Sequence, residues 1–212
     1  MATKHEQRSE ETKRSIIAAA GRLFADRGFD GVTMREIAKE AGCSHTTIYL
    51  YYKDKEALLH QLCMPPLEEV KRQFEAALQR EGASAEQKLQ ELGREFIRCC
   101  LQHRSLYAVL FTIRAVRVDE KEPELAINRL RNQLFGLMQT ALLQCLPAER
   151  EEQALANARI YFFMLHGIVA TYAHSDETAE GLMERLVATF DEAFDVVMAG
   201  LRHTRGKGAD GK

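Results

Sequence analysis

Side chains able to do chemistry gather in three places in this chain of 212 residues. Cys99, Cys100 and His103 lie together, hydroxyl and aromatic side chains run through Thr33–Lys55, and arginines lie among aromatic residues between Phe74 and Met138. The first group points to metal binding or thiol redox chemistry. On a helix, however, adjacent residues diverge by about 100°. The two thiols therefore do not converge on one ion, and no second ligand pair stands at a suitable spacing. The five cysteines form no CxxC pair and are odd in number, so reduced thiols in a cytosol are expected. A glycine-rich phosphate loop, HExxH and GxSxG are absent, and no carboxylate pair has a persuasive partner. We therefore expect no catalytic residues, metal or cofactor.

The second group has a different logic. Thr33 and Glu36 form a capping box that opens a short helix with Met34, Ile37 and Ala38 turned inward. Ala41-Gly42-Cys43 is a turn, Ser44 caps a helix reaching about Tyr51, and Asp54 caps the next. This is the pattern of a helix-turn-helix. With Ile48 buried, Thr46 and Leu50 lie roughly 160° away and face out. Thr47 and Tyr49 flank them, while Ser44 and His45 sit at the helix start. Small hydroxyls, an imidazole and tyrosines, with little negative charge, suit a groove of phosphates and base edges. Lys55, opening the fourth helix, is placed to clamp a phosphate together with the helix amides.

Residues 33–58, TMREIAKEAGCSHTTIYLYYKDKEAL, and the preceding LFADRGFDGV resemble the DNA-binding signature of TetR-type regulators. The likeness covers about residues 12–60. It implies a homodimer in the bacterial cytoplasm, reading a pseudo-palindromic double-stranded DNA operator as a repressor. Arg35 and Thr46 would contact bases; Thr33, His45, Thr47, Tyr49, Tyr51 and Lys55 would hold phosphates or share in readout. Leu50 either touches a thymine methyl or is simply exposed. His45, Thr46, Cys43 and Tyr51 depart from the residues commonest at those positions, which leaves the operator sequence open.

The elements that must position this segment are all helical. Apolar residues recur at helical spacing and no stretch alternates like a strand. Ile16, Ala20, Leu23 and Phe24 face one way on a first helix that ends at Gly28. The expected fold is all-α: an N-terminal three-helix bundle with a helix-turn-helix over residues 1–56, a larger helical domain over 57–202 and a disordered tail over 203–212. Pro65-Pro66 is expected to break or kink the fourth helix and to act as a hinge, with a further segment from Leu67 to Arg80. Ser84 and Gln87 open a helix through Gln102, and a shorter one is expected over Ser105–Val118. Later helices are placed from Pro123 to about Cys145, from Pro147 to about Ala173, and from Asp176 or Glu177 to about Gly200. The polar start carries no secretory signal, and the apolar run Ile160–Ala170 is too short to cross a bilayer, so no membrane partner is expected. Net charge is −2, yet residues 1–55 are slightly basic and the remainder acidic.

In the larger domain, the aromatic residues and arginines offer an effector pocket. Its candidate lining is Phe74, Phe96, Cys100, His103, Tyr107, Phe111, Arg114, Asn132, Phe135 and Met138. The ligand would be a small, largely apolar molecule, with Arg114, Arg117, Arg129 or Arg131 meeting any anionic headgroup. An aromatic stripe of this kind equally describes an ordinary core. The helix around Arg159–Tyr172 is apolar on more than one face, as is the last helix. Phe162, Phe163, His166, Val169, Leu186, Phe190 and Phe194 are therefore candidates for a dimer interface. Two other functions remain open: a DNA-binding regulator or activator without an effector, and an all-α enzyme.

Overall fold

The computed structural model describes residues 4–203 other than 105, 106, 112 and 119. Nine α-helices are found among them: α1 Lys4–Arg27, α2 Met34–Glu40, α3 His45–Tyr51, α4 Lys55–Gln79, α5 Ala85–Gln102, α6 Tyr107–Phe111, α7 Ala126–Leu143, α8 Ala154–Tyr172 and α9 Ala179–His203. A 3-10 turn, Ala148–Gln153, precedes α8, and no strand occurs among the described residues. Two compact units are present. One contains the chain up to Glu69 together with His103–Asn132; the other contains Val70–Gln102 and the described chain from Gln133 onward. Packing thus groups the first half of α4 and the α6–α7 region with the helix-turn-helix. Of the expected tail, only His203, the last residue of α9, lies within the described residues.

In the first unit, Ile16, Ala19, Ala20 and Phe24 of α1 are buried, as are Ile37 of α2 and Ile48 of α3. α1 ends where Gly28, at φ +73°, returns its N–H to the Phe24 carbonyl at 3.0 Å. The turn between α2 and α3 is a Schellman motif. Cys43 N–H reaches the Ala38 carbonyl at 3.0 Å, Gly42 N–H reaches that of Lys39 at 3.2 Å, and Gly42 has φ +71°. A side chain at residue 42 would be strained in that conformation.

Five element boundaries differ from expectation, one of them the start of α8, which is Ala154 rather than Pro147, with the 3-10 turn Ala148–Gln153 between. α4 runs unbroken through Pro65 and Pro66. The two missing donors are outweighed by a continuous buried side, Leu58, Leu59, Leu62, Cys63, Leu67, Val70 and Phe74; burial overrides local propensity here. α6 is only Tyr107–Phe111, and Ser105, where the sequence placed its start, lies outside the described residues. α7 starts at Ala126, three residues after Pro123. α9 starts after Thr178 rather than at Asp176 or Glu177, because the Thr178 hydroxyl accepts the Gly181 N–H at 3.0 Å.

In the second unit, Tyr161 of α8 is fully buried, and its hydroxyl donates to the Leu89 carbonyl of α5 at 3.0 Å. The hydroxyl crosses Gly93, where a methyl group would collide with it. Arg94 of α5 holds Asp191 of α9 through both nitrogens, one at 3.0 Å. By length and composition α8 is sufficient to cross a bilayer, contrary to expectation from the shorter run. In the unit it buries one side, with Asn157, Tyr161, Leu165 and Val169 inward.

Candidate nucleic-acid interface

Three local devices set the helix-turn-helix. Thr33 accepts the Glu36 N–H at 3.3 Å, while the Glu36 carboxylate takes the Thr33 N–H at 2.8 Å and its hydroxyl at 2.7 Å. Those bonds, with Arg27 at 2.9 Å, hold the Glu36 carboxyl down to about 2. Ser44 caps α3 by accepting the Thr47 N–H at 3.0 Å. Asp54 caps α4 by accepting the Ala57 N–H at 2.8 Å.

With Ile48 fully buried, the opposite side of α3 is left outward: Tyr49 is 47% and Leu50 80% exposed. Ser44, His45 and Thr46 are exposed and Thr47 is half-buried. The Ser44 hydroxyl lies 2.9 Å from that of Thr46 and 2.7 Å from that of Thr47, so three hydroxyls form one cluster at the helix start. The His45 and Tyr49 rings meet edge to face at 5.1 Å. Arg35, on α2, is exposed and makes no ion pair or hydrogen bond with the described residues. Thr33 is exposed, but its side chain is committed to the capping box.

Two candidates are engaged within the unit. Tyr51 is half-buried; its hydroxyl receives that of Ser9 at 3.3 Å, and Lys13 lies 6.0 Å from its ring centroid. Lys55 donates to the Phe29 carbonyl at 2.7 Å and stands 4.6 Å from that ring's centroid. One of the three ammonium donors is thus used internally.

The ten effector-pocket candidates are divided between the two units. Phe74, Phe96, Cys100, Phe135 and Met138 belong to the second unit, and each is at most 4% exposed. Phe96 and Phe135 each pack on Phe162 at 5.7 Å. His103, Tyr107, Phe111, Arg114 and Asn132 belong to the first unit. Tyr107 packs on Phe111 at 5.9 Å, and Asn132 donates to the Glu120 carbonyl at 3.0 Å. Arg114 is turned to the helix-turn-helix: its guanidinium meets Glu56 at 3.3 Å and Asp30 at 4.0 Å and lies 5.5 Å from the Phe29 centroid.

Arg131, which the sequence offers to an anionic headgroup, is committed to main-chain and amide acceptors of its own unit. It is buried, and its guanidinium donates to the carbonyls of Val109 at 2.9 Å, Leu110 at 2.6 Å and Ile113 at 3.0 Å, and to Asn128 Oδ1 at 2.8 Å. Burial lowers its pKa to about 10. Asn128 in turn donates to the Arg114 carbonyl at 2.8 Å, fixing a backbone with φ +50°. Arg129 likewise donates to the Pro123 and Glu124 carbonyls, both at 2.8 Å. No sequence signal marks these acceptors, since they are main-chain atoms.

Of the seven dimer candidates, Phe163 alone is exposed, at 65%. Val169, Leu186, Phe190 and Phe194 are in the core of their own unit. Phe162 and His166 are half-buried, their rings 4.1 Å apart. Burial lowers the His166 pKa to about 4. The exposed apolar stripe of α8 runs instead through Ala156, Ile160, Phe163, Gly167 and Ala170, and α9 exposes Val196. Amphipathic periodicity identified both helices but not which apolar side the chain itself covers.

A solvent-facing recognition helix, set by caps at Thr33, Ser44 and Asp54, defines the chain as a helix-turn-helix DNA-binding regulator of transcription. Residues 16–62 match the family model of bacterial regulatory proteins of the tetR family, and residues 89–201 match that of the tetracyclin repressor-like C-terminal domain. The chain belongs to the TetR family. It is 49% identical over 53 residues to the HTH-type transcriptional regulator YerO of Bacillus subtilis, covering 25% of this chain and 18% of YerO. It is 31% identical over 119 residues to the class D tetracycline repressor of Escherichia coli, 56% of this chain and 52% of that protein. These matches thus span about half or less of the relatives' length. In structure the chain resembles the regulator FadR of Bacillus subtilis, solved in complex with stearoyl-CoA, with a TM-score of 0.57 and 20% identity over 89% of this chain and 98% of FadR.

Proposed function

We propose that the protein is a homodimeric repressor whose two α3 helices read a palindromic operator, and which a small, largely apolar effector releases. The observation that carries the DNA reading is the outward side of α3, opposite buried Ile48. Thr46 and Arg35 read base edges. Ser44, His45, Thr47, Tyr49, Tyr51 and Lys55 contact phosphates or support readout, Leu50 takes a thymine methyl, and Thr33 acts by holding the start of α2. The two helices enter successive major grooves, about 34 Å apart.

Dimerisation uses the exposed Ile160–Phe163 stripe of α8 with Val196 of α9, packed as a four-helix bundle with a second copy. The sign of regulation and the effector rest on the relatives: one is a tetracycline repressor, and a regulator of similar fold was solved with stearoyl-CoA. The site of action is the bacterial cytoplasm.

The test is selection of genomic DNA fragments by the purified protein, followed by salt-dependent affinity for the enriched sequence. A palindromic motif is expected. Arg35→Ala and Thr46→Ala relax preference at particular base pairs, costing about 1–3 kcal/mol each, whereas Lys55→Ala weakens all sequences alike. Binding without an enriched motif, lost at moderate salt, refutes specific readout.

A further inference from the structure

The first unit contains a cleft of about 550 Å³ that none of the expected effector residues lines. That volume is in the usual range for small-molecule sites, about 300–1,000 Å³. Tyr51 and Tyr52, at the end of α3, form one end. Glu56 and His60 line it from α4, and Leu125 and Ile127 line it at the start of α7. Ala57 and Ala126 lie among them, so their small side chains help keep the space open.

The lining has a definite chemical bias. Among the described residues that line the cleft there is neither lysine nor arginine, and the one carboxylate is that of Glu56. Arg114 takes one Glu56 oxygen at 3.3 Å; the other makes no ion pair or hydrogen bond with the described residues. Tyr51 and Tyr52 share the lining with Glu56. An aromatic face and a carboxylate together favour a delocalised cation, which costs less to desolvate than a compact ammonium. The aromatic rings of this unit already draw cations: Lys13 lies 6.0 Å from the Tyr51 centroid, and Lys55 4.6 Å from that of Phe29. An anionic ligand would meet the Glu56 carboxylate, while the guanidinium nearest that carboxylate, Arg114, is already engaged with Glu56 and Asp30, so the cleft disfavours carboxylates and phosphates.

We infer that this cleft is a binding site for a flat organic cation, held between the Tyr51–Tyr52 rings, the Glu56 carboxylate and the apolar start of α7. None of the residues expected to hold an effector is among those that line it. Since Tyr51 belongs to α3, occupancy alters operator affinity; that consequence, unlike the site itself, rests on the DNA-binding reading proposed above.

Thioflavin T, a flat cation that brightens when its rotation is blocked, is the probe, titrated into the full chain without DNA. One dye per chain is expected, with Glu56→Gln weakening binding about five- to tenfold, near the value of one lost charge interaction. The dye's uncharged, demethylated analogue is expected to bind more weakly and to be indifferent to Glu56→Gln. Ala126→Trp and Ala57→Phe each fill the cleft and weaken dye binding at least tenfold, with circular dichroism confirming helical content; two positions guard against one variant misfolding. No dye binding, or binding that survives both filling variants, overturns the site whether or not the protein binds DNA. Binding that is equal for dye and uncharged analogue overturns the cation assignment. Unchanged operator affinity at saturating dye overturns the coupling to α3.

Discussion

Acidification destabilises the unit that contains His166, and a share of the loss belongs to that one side chain. The imidazole is packed against Phe96 at 5.4 Å and Phe162 at 4.1 Å, and burial lowers its pKa from 6.5 to about 4. Above the unfolded value, both states hold a neutral ring and His166 adds no pH dependence. Between about 6.5 and 4 the unfolded chain takes up a proton that the folded chain refuses, so stability falls as pH falls. Below about 4 both states are protonated and the loss is complete. The full difference corresponds to roughly 3 kcal/mol, of which about 2 kcal/mol is reached by pH 5. Residual solvent access brings the expected loss to about 1–2 kcal/mol. Urea unfolding at pH 7 and pH 5, at one protein concentration, measures it for the wild type and for His166→Phe. The carboxylates titrate in both proteins and cancel in the difference. If both proteins lose the same stability within about 0.5 kcal/mol, the argument from burial is refuted.

Three other substitutions probe other parts of the fold. Gly93→Ala drives a methyl group into the Tyr161 hydroxyl and against Leu165, lowering stability by about 1–3 kcal/mol in urea unfolding; adding Tyr161→Phe recovers part of the loss, and a neutral Gly93→Ala refutes the close approach. Arg131→Met leaves three carbonyls and the Asn128 amide oxygen without their donor; the expected loss is about 2–4 kcal/mol because the guanidinium's own desolvation is relieved, and Arg131→Lys, lacking the fork of donors, does not restore it. Phe163→Glu puts a charge on the exposed stripe of α8 and converts the proposed dimer to monomer in sedimentation velocity; an unchanged oligomeric state refutes that face.

The helix-turn-helix was legible because its signals are local. Thr33 and Glu36, Gly42, Ser44 and Asp54 each act on backbone within three or four residues, so spacing alone predicts their bonds. Pro65-Pro66 was read by the same local logic and misled, because the buried side of α4 continues past it. Arg131 was opaque for the opposite reason: its carbonyl partners lie 18 to 22 residues away in sequence. For α8 and α9, composition established burial without direction. Val169, Phe190 and Phe194 turned out to serve the chain's own core, while Phe163 turned outward. The Tyr51–Glu56 cleft had no sequence signature, since its two walls come from α3–α4 and from the start of α7.

The first unit is assembled from two separated stretches, the chain up to Glu69 and His103–Asn132. Synthesis therefore delivers the recognition helix long before the residues that complete its unit. Until Val109 and Arg114 have emerged from the ribosome, Cys63 lacks the Val109 carbonyl beside it and Phe29 lacks the Arg114 guanidinium. A nascent chain stalled earlier leaves Cys63 and Phe29 without those partners, and a fragment cut at residue 56 loses them together with nearly all of α4. Contacts made only after a long intervening segment are slow to form and leave apolar surface waiting. The DNA-binding end, first in sequence, thus waits for the chain up to Asn132 before its unit is complete.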